Sequence, residues 1–227
     1  MIEVRFIKRR LTMKRHSPFT QHFDLLPNSL PIFPLANAIV LPGELLPLNI
    51  FEPRYLSMFK DAMKGDQLIG MIQPRNSDAP ADLFTVGCAA RVTRYEETLD
   101  GRLEVMLTGL CRFEIAEELS SVSAYRIVRA KWDQFKHDYD ENEQSDAQTS
   151  LLFNAALRRF FKEKEIDFDW KTLEQLSLKT LANNLVAQLP LSVADKQLLL
   201  ESKTIKSRVK SFIAILEGNS EANNARH

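Results

Sequence analysis

Phe84-Thr-Val-Gly-Cys-Ala-Ala-Arg-Val-Thr-Arg-Tyr-Glu-Glu-Thr-Leu-Asp-Gly-Arg-Leu-Glu-Val-Met-Leu107 decides the fold. An extended run, Phe84–Glu97, leads into Asp100-Gly101. Beyond it Leu103, Val105 and Leu107 alternate with Glu104 and Met106. Asp-Gly between alternating runs is the strongest short-range hairpin signal, since both central residues of such a turn take positive φ.

Outward from this hairpin the chain stays β-rich. Downstream, Gly109 reads as a turn, and Cys111–Leu119 and Ala124–Gln134 supply two further strands. Upstream, Leu30–Leu35 and Ala38–Leu41 are short apolar runs interrupted by prolines, the pattern of edge strands and bends. Pro42-Gly43 marks a turn, and Leu45–Ile50 resumes extended structure. Pro53 suits the first position of a helix whose stripe is Tyr55, Leu56, Phe59, Ala62 and Met63, ending at Lys64-Gly65. Gln67–Gln73 is strand-like. The expected lobe is a small bent β-barrel carrying one helix.

The remainder is helical. Residues 136–147 are polar and acidic with no apolar period, so they read as a linker. After them Leu151, Leu152, Ala155, Ala156, Phe160 and Phe161 make one helical face, and Leu173, Leu176, Leu178, Leu181, Leu185 and Val186 another. Ser192 with Asp195 resembles a capping box, Thr204 caps a last helix, and Gly218 ends it. The fold class is therefore α+β. A basic tail (1–29) precedes a β-rich lobe (30–135), the acidic linker (136–147), a helical bundle (148–218) and a polar tail (219–227). Phe19, Phe23, Leu25 and Leu26 are candidates to tether the first tail.

Composition excludes several classes. Thirty Lys+Arg balance thirty Asp+Glu, so no overall basic field drives nucleic-acid binding. Only the start is basic, with six cations and two acids in residues 1–30. No apolar run reaches the roughly 18–20 residues of a membrane helix, and no signal-peptide core is present. Two cysteines, Cys88 and Cys111, make neither a disulfide scaffold nor a four-ligand zinc site, and suit a reducing, cytoplasmic setting.

Catalytic signatures are absent. Gly65 and Gly70 have phosphate-loop spacing, but Met71-Ile72 stands where Lys-Ser/Thr belongs. His16, His22, His137 and His227 form no metal-binding pair. Cys88 and Cys111 sit in apolar strands, where buried, inert thiols are expected. Glu96-Glu97 and Glu117-Glu118 point to opposite faces of their strands. Arg91, Arg94, Arg102, Arg112, Arg126 and Arg129 interleave with acids, which favours cross-strand ion pairs over an RNA-binding face.

Taken in order, several stretches resemble the N-terminal substrate-binding domain of the ATP-dependent protease Lon. These are Leu30-Pro-Ile-Phe-Pro-Leu, Val40-Leu-Pro-Gly-Glu, Pro47-Leu-Asn-Ile-Phe-Glu-Pro-Arg-Tyr, Asp82–Val92, Val105–Phe113 and Leu189–Glu201. The chain departs from that protease in having no phosphate loop and no length for an ATPase or a protease module, so it resembles a stand-alone form of the domain. The resemblance implies binding of unfolded or client polypeptides, in company with a protease or chaperone, and neither catalysis nor a cofactor. No membrane partner is expected. An RNA or ribonucleoprotein-binding barrel is the alternative.

Two stretches hold the residue types enriched at binding hot spots. Phe51, Arg54 and Tyr55 lie at a strand-to-helix junction, and Arg112 and Phe113 follow Gly109. Each set has a plainer reading, in which the aromatics pack the core and the arginines tie down loops. A sheet edge, or an apolar surface patch, would be the receiving surface for an extended client.

Overall fold

The computed structural model describes residues 22–76, 79–140, 146–165, 170 and 175–224, with residues 79–81 and 219–224 described for the backbone alone. Phe19, Leu173, most of the basic tail and residues 141–145 of the expected linker lie outside them.

The strands are β1 (Ser29–Pro34), β2 (Leu45–Ile50), β3 (Leu68–Ile72), β4 (Pro74–Asn76), β5 (Ala79–Leu83), β6 (Val86–Glu97), β7 (Leu103–Leu119) and β8 (Ile127–Lys131). Helix α1 (Pro53–Lys64) lies between β2 and β3 in the chain. The main sheet runs β2-β7-β6-β3-β1-β8, and β8 also pairs with β7, so the sheet curls into a ring. Every pairing in it is antiparallel except β1 with β3. β2 lies beside the first half of β7, outside the closed circuit. β4 and β5 form a separate hairpin. Leu30, Ile32, Ile69 and Phe113 of the ring strands are buried in one apolar core with Ile50 of β2 and Met58 of α1.

The α+β expectation holds, and the Phe84–Leu107 hairpin is its backbone. Its turn differs in detail. Gly101 alone has positive φ, at 80°, and donates its N–H to the Thr98 carbonyl at 2.9 Å. This is a three-residue loop with a left-handed glycine, not a two-residue turn with two left-handed residues.

Gly109 is not a turn. It sits inside the 17-residue β7, where a Cβ would overlap the Leu41 carbonyl oxygen. The two strands expected on either side of it are therefore one. Ile39, Val40 and Leu41, read as a strand run, form no strand yet are buried against β7 at this close approach. Gly65 ends α1 without left-handed geometry, and Gln67 takes the positive φ, 59°, instead. After β8 the chain tightens into a 3-10 segment, Asp133–Tyr139.

In the helical part, the described residues include α2 (Ala147–Glu163), α3 (Leu178–Gln188), α4 (Val193–Glu201) and α5 (Ile205–Asn224). Asp146, Ser177 and Ser192 cap the first three, each accepting from the backbone N–H three residues on. Thr204 does the same for Ser207, as its sequence position suggests. Gly218 does not end α5, which runs through it. The α2 face is rotated from the expected one: Phe153, Ala156, Leu157, Phe160 and Phe161 are buried, whereas Leu151 and Leu152 are exposed. Phe153 meets Phe212 of α5 at 5.3 Å between ring centres.

Polar contacts join α4 to the β lobe. Gln197 donates to the Val86 carbonyl at 3.0 Å, Gln73 donates to the Gln197 side-chain oxygen at 3.1 Å, and Lys196 donates to the Asn37 carbonyl at 3.1 Å.

Candidate functional site

The ends of β1 and β2, the start of α1 and the β7–β8 hairpin surround a cleft of about 620 Å³. Its floor is aromatic. Tyr55, only 7% exposed, lies 4.1 Å from Phe33 between ring centres. Pro53 opens α1 at the first helical position, so Phe51, just before the helix, is left on the rim at 60% exposure. Leu48 and Ile50 wall the cleft from β2, and Tyr125 and Arg126 wall it from the hairpin.

The rim charges are mutually compensated. Arg54 meets Glu52 at 2.8 Å and stacks 4.6 Å over the Tyr55 ring. Arg126 meets Glu118 at 2.6 Å and holds its carboxyl below the usual carboxylate range. Arg102 pairs with Asp100 at 2.9 Å and lies 5.5 Å over the Phe51 ring. Burial raises the Tyr55 hydroxyl pKa, opposed by the Arg54 charge. Tyr125 donates to Asp61 at 3.0 Å. Lys64 and Tyr125, both bonded to Asp61, lower its pKa.

Of the five residues singled out from sequence, the structure brings Phe51, Arg54 and Tyr55 together here. Arg112 and Phe113 are elsewhere and buried. Phe113 fills the ring beside Trp132, at 5.8 Å between ring centres. Arg112 forms a bidentate pair with Asp138, stacks over Phe135, and donates to the carbonyls of Leu200, Ser202 and Lys203. Neither side chain reaches the surface: β7 continues through Gly109, Phe113 points into the apolar interior, and Arg112, on the opposite face of the strand, is covered by the 3-10 segment and the end of α4. The hairpin wall, Tyr125 and Arg126, carries no local sequence signal, since it reaches the cleft only through β8 pairing with β7.

Cys88 and Cys111 are fully buried, and burial pushes both thiols up, away from reactivity. Among the described residues no group of three His, Cys, Asp or Glu side chains is placed to hold a metal ion. No helix among them is long and apolar enough to cross a membrane.

A curled strand sheet bearing a cleft floored by Phe33 and Tyr55 is thus joined through α4 to a capped helical unit. The chain belongs to the ATP-dependent protease La (LON) substrate-binding domain family, whose pattern matches residues 29–218. It is 27% identical to Lon protease 2 of Myxococcus xanthus over 204 residues, 86% of this chain and 24% of that protein. It is 28% identical to the Lon protease of Escherichia coli K12 over 200 residues, 83% of this chain and 24% of that protein. The chain thus spans about a quarter of the length of these relatives. In fold it matches the Lon N-terminal domain protein of Xanthomonas campestris, with a TM-score of 0.62 and 22% identity over 82% of this chain and 97% of that one. The N-terminal domain of the Mycobacterium avium complex Lon protease gives 0.61 and 17%, over 83% and 98%.

Proposed function

We propose that this Lon-type substrate-binding module is non-catalytic and uses the β1–β2–α1 cleft to hold apolar segments of unfolded or degradation-bound polypeptides. A protease or chaperone is the partner that receives them. The observation that carries the reading is Phe51, a large aromatic left exposed on the rim of an aromatic-floored cleft beside an arginine. The setting is cytoplasmic, which two buried free thiols fit. The ion pairs Arg94–Glu96, Arg126–Glu118 and Arg129–Glu117 favour this reading over an RNA-binding barrel, because those strand arginines already face carboxylates.

The test is fluorescence anisotropy of a labelled, reduced and carboxymethylated globular protein titrated with this chain, without nucleotide, the folded form serving as control. Saturable binding to the unfolded form, weakened in Phe51→Ala and Arg54→Ala, is the expected result. Equal binding in those variants removes the cleft from the reading, and absence of binding removes the reading.

A further inference from the structure

We infer that the outer edge of β2 is a docking edge, to which an extended, uncharged polypeptide segment adds as a strand and inserts alternate apolar side chains into the cleft. This rests on the polypeptide-binding reading above and specifies how the segment is held.

β2 is bonded along one side only, to β7. Which of its residues face outward follows from two bonds. Thr93 donates to the Met106 carbonyl at 3.1 Å, so Met106 turns its backbone toward β6 and away from its β2 partner Pro47. Gly109 donates to the Glu44 carbonyl at 2.8 Å, so Glu44 faces β7. Strand backbones alternate. Glu44, Leu46, Leu48 and Ile50 therefore bond inward, and Leu45, Pro47 and Asn49 turn outward. Among the described residues the outward N–H groups of Leu45 and Asn49 and the outward carbonyls of all three have no backbone partner. An unpaired row of this kind is a template for another strand.

The edge leads directly into the cleft, since Leu48, Asn49 and Ile50 also line it. A strand added beside β2 places every second side chain on the Leu48–Ile50 face, over Phe33 and Tyr55. Charge complementarity sets the chemistry of the occupant. The rim cations Arg54, Arg102 and Arg126 are each paired with a carboxylate of this chain, so the rim matches an uncharged segment. A second copy of this chain is the poorer occupant. Pro47 lacks an N–H at the centre of the edge, so self-pairing there forfeits a bond in both copies.

The experiment uses the full chain and a fluorescein-labelled peptide with phenylalanine and valine at alternate positions and threonine between them. A series of the same peptide carries one N-methylated amide at a time. Strand addition predicts a period of two, methylation at alternate amides weakening binding by about tenfold and at the others by little. It also predicts that Asn49→Pro weakens binding by about tenfold, that Asn49→Ala does not, and that the Asn49 amide exchanges more slowly with peptide bound. If Asn49→Pro fails to fold, the methylated series still decides, since it leaves the protein untouched.

A flat methylation profile, with Phe51→Ala still weakening binding, overturns strand addition and leaves the cleft reading standing. No binding of either the peptide or the unfolded protein by the wild type overturns both. A concentration-dependent dimer in sedimentation, lost in Asn49→Pro and unaffected by peptide, assigns the edge to a second copy and also overturns the proposal.

Discussion

Arg112 and Asp138 form a bidentate ion pair at 2.7 Å in which both side chains are almost fully buried, at 3% and 6% exposure. The same guanidinium reaches the carbonyls at the end of α4, so one side chain fastens β7, the 3-10 segment and the helical unit together. Breaking a buried pair from one side strands the other charge. Arg112→Leu and Asp138→Ala should each cost about 3–5 kcal/mol in urea unfolding. The double variant should cost less than the sum.

Glu44 gives the stability a pH dependence of the less common sign. Burial raises its carboxyl pKa to about 7. The folded state therefore binds a proton more tightly than the unfolded chain. Its contribution is fully present below about pH 4.5 and is lost as pH rises through about 7. Glu44→Gln should match wild type near the lower limit and exceed it by up to about 3 kcal/mol at pH 8, read from urea midpoints across the range.

Phe51 and Tyr55 should separate binding from stability. Phe51→Ala should change stability by no more than about 0.5 kcal/mol, because the ring is mostly exposed. Tyr55→Ala should cost about 3–5 kcal/mol, because its ring packs on Phe33. Thermal melts of the two variants beside wild type check this.

Gly109→Ala should destabilise the fold by about 1–3 kcal/mol, since the added methyl has only the Leu41 backbone to displace. The loss should appear in urea unfolding, with the hairpin amides of β6 and β7 exchanging faster.

Native-state titration with a thiol reagent should leave Cys88 and Cys111 unmodified, and both should react in urea. Rapid modification of the folded protein would contradict their burial.

What the sequence made legible was whatever rests on local chemistry. The hairpin around Asp100-Gly101, the start of α1 at Pro53 and the caps at Ser192 and Thr204 each depend on a few neighbouring residues. So did the grouping of Phe51, Arg54 and Tyr55, which one strand-to-helix junction presents together. What misled depends on residues far apart in the chain. Gly109 reads as a turn, yet the space it leaves is taken by the Leu41 backbone. Arg112 looks available until Asp138 and the end of α4 fold over it. Leu151 and Leu152 have core composition, and only the docking of α2 on α5 leaves them outside.

The paired rim of the cleft bears on encounter kinetics. Arg54, Arg102 and Arg126 spend their charge on carboxylates of the same chain, so the mouth projects little field into solvent. On the proposed reading, a segment arriving there would not be steered and would meet the cleft at the ordinary diffusional rate for an uncharged surface, nearly independent of ionic strength. Discrimination between segments would then fall to how long each one stays.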